Sequence, residues 1–323
     1  MGHSFFRPSV EMLNLQAAEW GIQGHDGYSI FRGGQNGSPL RLWQNNDVRN
    51  EAIEVLSGGQ IELLTLTYYS AENSRVEDYQ RWFDLALVDN PEITFLVTIP
   101  WTLRPHLITE DDLEELRART LSLFDSLIAP LCERYPDNEV IFCPYGLGAY
   151  ELVESFFDGE LTGVEFLSAA PFSNRGDEYL FRDATGHPNE LLVTLSTLIW
   201  AATLYDIDSL RLDPVRVPGL PEVDVNAFAS EVAQVIAPYN EGNGPSLEGS
   251  VVRAALNASR TQLLLSWLGE TGQRYEIESS SNLDPDSWTS LGIVDGSKGE
   301  MIWMAELNTA SRFFRVVPTP PTE

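Results

Sequence analysis

Lysine is almost missing from this 323-residue chain: Lys298 is the one lysine among 20 basic residues, and the rest are arginine. Positive charge of any kind is scarce, since 48 Asp and Glu outnumber it and leave a formal net charge of −28. A surface this negative repels nucleic-acid phosphate and anionic lipid within about a Debye length, ~8–10 Å, so neither is an expected partner. Cysteine is nearly absent too. Cys132 and Cys143 are too few for a disulfide framework and form no C-x-x-C pair, so both are expected as buried free thiols. No apolar run reaches the ~20 residues that cross a bilayer. The nearest, Leu191 to Tyr205, is interrupted by Thr and Ser. No signal peptide is visible, and H-E-x-x-H, G-x-x-x-x-G-K-[ST] and a helix-opening G-x-G-x-x-G are all missing, so neither metal nor cofactor is expected.

What is present suffices for a folded protein. A hydrophobic content of 43% with 11% aromatics builds a core despite the acidity. Abundant carboxylate with rare lysine matches proteins of saline habitats, where carboxylates hold water and dissolved ions screen their repulsion. The length suits one large domain plus a small one, or two of medium size.

From residue 26 to about 240, short apolar runs alternate with segments of helical period, the pattern of parallel βαβ units. The runs Tyr28 to Phe31, Ile61 to Tyr69, Thr94 to Ile99 and Val140 to Cys143 read as core strands. Thr109 with Asp112 three residues on spells a capping box. The helix that follows places Leu113, Leu116, Phe124, Leu127, Ile128 and Leu131 at three- and four-residue steps, which predicts one face on the sheet, and Pro136 closes it. Asn189 to Leu204 reads as a buried helix, and Asp224 caps a last one over Val225 to Ile236. Pro238 to Gly249 is rich in Gly, Pro, Asn and Ser and reads as a linker. Beyond it the period becomes alternating. Leu263 to Trp267, Tyr275 to Ser279, Ser290 to Val294, Met301 to Met304 and Phe313 to Val317 predict a small β-sandwich. Trp267, Tyr275, Trp288 and Trp303 are expected in its core. The expected division is 1–240, a linker at 241–249, a β-module at 250–318 and a disordered tail at 319–323.

Two strings carry possible chemistry: Gly2-His3-Ser4-Phe5-Phe6 near the amino end, and Asp183-Ala-Thr-Gly-His187-Pro188 before the buried helix. A serine hydroxyl becomes a nucleophile when an imidazole takes its proton, and the imidazole needs an acceptor that holds its tautomer. With the α/β pattern, these strings resemble the SGNH (GDSL-type) hydrolase superfamily over roughly residues 1 to 240. The resemblance implies a three-layer, flavodoxin-like fold with Ser4 as nucleophile, His187 as base and Asp183 as the orienting carboxylate, Asp177 being a rival. It also implies an oxyanion site built from the Ser4 N–H, Gly34 or Gly37 of the string Phe31 to Ser38, and a side chain after the third strand. Asn73 is the choice for the last, with Tyr68 and Tyr69 as substitutes and Asn36 as a spare amide. The C-terminal strings Tyr275 to Leu283, Trp288 to Gly292 and Arg312 to Val316 resemble fibronectin-III-like modules of exported bacterial proteins.

The chain departs from the family pattern at four points. His3 stands where Asp is common, no asparagine ends the third block before Asn73, the acid lies four residues before the histidine, and only three residues precede Ser4 where a central strand belongs. Either the chain given begins downstream of the natural start, an export signal being lost with it, or the sheet is built without that strand; the first is the expectation. His3 is expected to be structural, and Trp43, Trp82 and Trp101 to pack in the core. The implied activity is a secreted or periplasmic ester hydrolase removing O-acyl groups from carbohydrate. The alternatives are a non-catalytic binding protein with a decayed domain, and a lipase or polyester-cleaving esterase.

Overall fold

The computed structural model describes residues 1–20, 22, 24–168, 178–205, 223–240, 253–256, 262–269, 273–280, 287–296, 299–306 and 313–319. Two compact units are present, Met1–Gly244 and Pro245–Glu323.

The first unit is mixed α/β. Its helices and strands run α1 (Arg7–Gln16), α2 (Pro39–Gln44), α3 (Asn46–Leu56), β1 (Leu63–Thr67), α4 (Val76–Ala86), β2 (Thr94–Thr98), α5 (Leu113–Leu121), α6 (Ala129–Arg134), β3 (Val140–Cys143), α7 (Gly146–Phe157), β4 (Phe166–Ser168), β5 (Tyr179–Phe181), α8 (Glu190–Tyr205) and α9 (Val225–Asn240). Strands β1, β2 and β3 pair in parallel in that order, Leu64 opposite Phe95 and Val97 opposite Phe142. Two shorter segments extend the ladder. Met1 lies on the free side of β1, its carbonyl accepting from the Thr67 N–H at 3.2 Å. Gly2 forms a parallel bridge with Phe31, donating to Ile30 O at 3.2 Å and accepting from the Arg32 N–H at 3.1 Å. The alternative of a sheet built without this strand does not hold: two residues, bonded on both sides, occupy the place. The run Tyr28 to Phe31, expected as a strand, is reduced to that bridge. Numbered along the chain, the five segments lie in the order 2-1-3-4-5.

Side-chain alternation divides the core into two layers, one on each face of the sheet. Leu96, Ile141 and Cys143 face α1, α7, α8 and α9, while Leu64, Leu66, Phe95, Val97, Val140 and Phe142 face α2, α3, α4 and α6. Local signals account for several helix starts. Thr109 and Asp112 form the reciprocal cap ahead of α5, and Asp224 Oδ1 accepts from the Ala227 N–H at 3.0 Å. The apolar stripe expected on one face past Thr109 is split instead. A π turn at Phe124–Ile128 inserts an extra residue before Pro130, so Leu113 and Leu116 join the first layer and Phe124, Leu127, Ile128 and Leu131 the second. Among the described residues, strand β3 is an edge of this ladder. Its Phe142 N–H and C=O are both taken by the side chain of Asn240, at 2.8 and 3.0 Å. Cys143 is buried, whereas Cys132 is half-buried, a correction to the expectation for the latter; both thiols are free.

The second unit holds β6 (Arg253–Leu256), β7 (Gln262–Gly269), β8 (Arg274–Ser280), β9 (Thr289–Asp295), β10 (Gly299–Glu306) and β11 (Phe313–Thr319). They form two three-stranded antiparallel sheets, ordered β10-β7-β6 and β11-β8-β9. Leu265 of one sheet and Tyr275 and Ile277 of the other share a small core with Met301, Trp303, Phe314 and Val316. Trp288 is half-buried. β11 continues through Pro318 to Thr319, which pairs with Arg274, so Thr319 belongs to a strand and not to a tail. The linker at 241–249 and residues 320–323 lie outside the described residues.

Candidate active site

Ser4 stands where the chain leaves the Met1–Gly2 segment, at the carboxyl end of the sheet. Here the connections reverse direction, one going to Phe31 on one side and the rest to β1 and beyond. In open parallel sheets ligands gather at such a crevice. A tight turn follows, with the Phe6 and Arg7 N–H groups both donating to His3 O, at 3.1 and 3.3 Å, and Pro8 opens α1. The turn is clamped on both sides: Phe5 stacks on Trp101 at 5.1 Å, and Phe6 packs against Trp200. Ser4 itself is half-buried.

Asp183 and His187 come from one loop after β5. Phe181 bridges Pro188, and the Arg182 N–H donates to His187 O at 2.7 Å, closing the loop at its neck. Inside it, Asp183 Oδ1 accepts the N–H groups of Thr185, Gly186 and His187 at 2.9, 3.1 and 3.3 Å. Its other oxygen receives His187 Nδ1 at 2.6 Å, and His187 Nε2 lies 2.8 Å from Ser4 Oγ. Asp183 thus caps its own loop and holds the imidazole across a four-residue spacing. Burial pushes the Asp183 carboxyl up, but the hydrogen bonds from His187 and Gly186 outweigh it and hold the group below its ordinary value. With Nδ1–H facing a carboxylate, Nε2 is the ring nitrogen left to accept a hydrogen bond from the Ser4 hydroxyl.

A wall from the β2 side fixes this loop. Trp101 Nε1 donates to Gly186 O at 2.9 Å and the Arg104 N–H to Thr185 O at 3.1 Å. Gly186 has φ +106°, and a Cβ there meets Pro105 Cδ at 2.7 Å, so glycine is required twice over. Trp82 is also buried, donating to Pro39 O at 2.9 Å, with Trp43 packed edge-on against it.

His3, beside Ser4, is 2% exposed. Its Nε2 lies 3.1 Å from Tyr68 O, and its Nδ1 accepts from the Phe5 N–H at 3.4 Å, the pattern of a neutral ring. Desolvation lowers its pKa to about 4. His25 is engaged with Tyr205 and Asn14, and His106 sits exposed on a short 3₁₀ turn. Neither meets Ser4.

The proposed oxyanion donors are placed unequally. The Ser4 N–H donates to no group of the described residues. Gly34–Gly37 forms a 3₁₀ turn after Phe31. Gly37 is pressed against the segment that leads into Ser4, since a Cβ there lies 2.6 Å from Gly2 O and 2.7 Å from His3 Cα. Gly34, with φ +52°, opens onto free space at the start of that turn. Asn73 has no hydrogen bond to Ser4 among the described residues: its side-chain oxygen accepts from the Tyr68 hydroxyl at 3.4 Å, and it ends the Ser70–Glu72 turn in a left-handed conformation. Tyr69 reaches His3, ring to ring at 5.3 Å. Asp177 lies outside the described residues.

One organising residue carries no signal in a chain with 48 acids. Glu72 accepts from Gln35 Nε2, from Ser38 Oγ at 2.6 Å and from Arg41 Nε at 3.0 Å, tying the Gly34–Gly37 turn to the end of β1. Burial raises its carboxyl, and these three donors more than offset that and lower it. Among the described residues no group of three His, Cys, Asp or Glu side chains is arranged to hold a metal ion, and no helix is long and apolar enough to cross a membrane.

The chain matches no protein-family model, no curated protein and no solved structure.

Proposed function

We propose that this protein is a serine ester hydrolase of SGNH type. The observation that carries the proposal is the unbroken series from Ser4 Oγ through both ring nitrogens of His187 to Asp183, at 2.8 and 2.6 Å. The strand order 2-1-3-4-5, with Ser4 at the reversal, supports the fold assignment. In the reaction, Ser4 Oγ attacks the ester carbonyl carbon while His187 Nε2 takes its proton. The N–H groups of Ser4 and of the Gly34–Gly37 turn meet the developing oxyanion, each such donor contributing ~3–4 kcal/mol. The imidazolium returns the proton to the departing alcohol and leaves an acyl-serine. Water then attacks that acyl group with His187 as base, releasing the acid and restoring the serine.

An O-acyl group of acetyl size on a carbohydrate is the substrate class we favour, by analogy with exported enzymes that carry an appended β-module, and export is part of the same proposal. The test is hydrolysis of p-nitrophenyl acetate. Ser4→Ala should reduce kcat by at least ~10³-fold. Equal turnover by parent and variant rejects the mechanism, and a parent without turnover favours a binding protein.

A further inference from the structure

A cavity of about 40 Å³ opens at the carboxyl ends of β1 and β2, walled by α5 and α7. One water needs ~10–15 Å³ of such space, so it holds roughly three, the size of a carboxylate and too little for a long acyl chain. Its polar lining is Tyr68, Ser70, Thr102, Arg119, Thr120 and Tyr150, all hydroxyls apart from one guanidinium, with no carboxylate. That is unexpected in a chain of net charge −28. Arg119 makes no ion pair among the described residues, although Arg117, two positions earlier, is held by Glu151 at 2.8 Å and Glu154 at 2.6 Å. The Arg119 charge also opposes the upward push that burial gives the Tyr68 and Tyr150 hydroxyls, which places it near both.

The cavity adjoins the triad through the chain. The Tyr68 carbonyl that receives His3 belongs to a lining residue, and Thr102 follows the Trp101 that holds Gly186. We infer that this cavity receives a carboxylate of the ester substrate, paired with the Arg119 guanidinium, so that the substrate is an acylated acidic sugar. A single guanidinium balances one negative charge, and its planar fork matches a carboxylate's two oxygens. In so negative a protein an anionic substrate needs a local positive site of this kind.

The inference rests on the esterase reading, but its test does not need turnover. Methyl β-glucuronide and methyl β-glucoside differ in one carboxylate and contain no ester, and calorimetry measures the affinity of each for the intact protein. The glucuronide should bind about ten-fold more tightly, or ~1.4 kcal/mol. Arg119→Gln should bring the two within about two-fold, while Arg134→Gln, at an exposed arginine of α6 outside the cavity lining, should keep the preference. A parent that binds both alike or neither, or an Arg119→Gln variant that still prefers the glucuronide, overturns the site. The p-nitrophenyl acetate result stands in either case.

Discussion

His3 shows how much a single side chain beside Ser4 can constrain. Its neutral ring bridges the end of β1 and the Phe5 amide, and the desolvation that keeps it neutral lowers its pKa to about 4. An unfolded histidine titrates near ~6.5. Between these values the unfolded chain binds a proton that the fold does not, so folding stability falls as pH drops through that window, by up to about 1.4 kcal/mol per pH unit. Asp183 has the depressed pKa of a hydrogen-bonded carboxylate, so its contribution is intact above the carboxylate range and lost only below it. His3→Gln retains a donor for Tyr68 O without the titration. Denaturant unfolding at pH 7 and pH 4.5 should show a smaller loss in the variant than in the parent; equal losses would refute the role. At this scale the sequence was legible where chemistry restricts residue choice. Ser4, His187 and Asp183 belong to short strings whose order is informative, and the structure brings them together. Glu72 and Asn73 were not legible, because carboxylates and amides serve everywhere on a surface and only the fold decides which one meets a loop.

Elements position these side chains, and the best-placed of them is the segment after β2. Trp101 follows that strand, stacks on Phe5 and donates to Gly186 O, so one ring braces both the Ser4 turn and the Asp183–His187 loop. Trp101→Phe keeps the stacking and removes the donor. It should cost ~1 kcal/mol in thermal unfolding and lower kcat for p-nitrophenyl acetate about ten-fold, since small displacements of catalytic groups are expensive. An unchanged kcat would show that the loop holds itself. Strong local signals predicted elements well: β3 is an unbroken apolar run, β2 has the apolar centre Phe95-Leu96-Val97, and the caps at Thr109 and Asp224 are where their side chains indicated. Weak ones failed for physical reasons. Met1–Gly2 is too short to show any period, and the stripe past Leu113 changes face at a π turn that apolar spacing does not reveal.

Over the whole molecule, 48 carboxylates against 20 cations repel one another across the surface. Raising the salt from about 0.01 to 1 M shrinks the screening length from ~30 to ~3 Å. Thermal unfolding should therefore move upward over that range, and a midpoint indifferent to salt would show that the charge carries little strain. The same repulsion keeps copies apart, but it is weakest in concentrated salt, where a bare strand margin recruits a neighbour. The Asn240 side chain occupies both backbone groups of Phe142 at the β3 border as a further strand would. An amide on the last turn of a helix thus serves as a stopper against fibre-like stacking, and that protection does not depend on ionic strength.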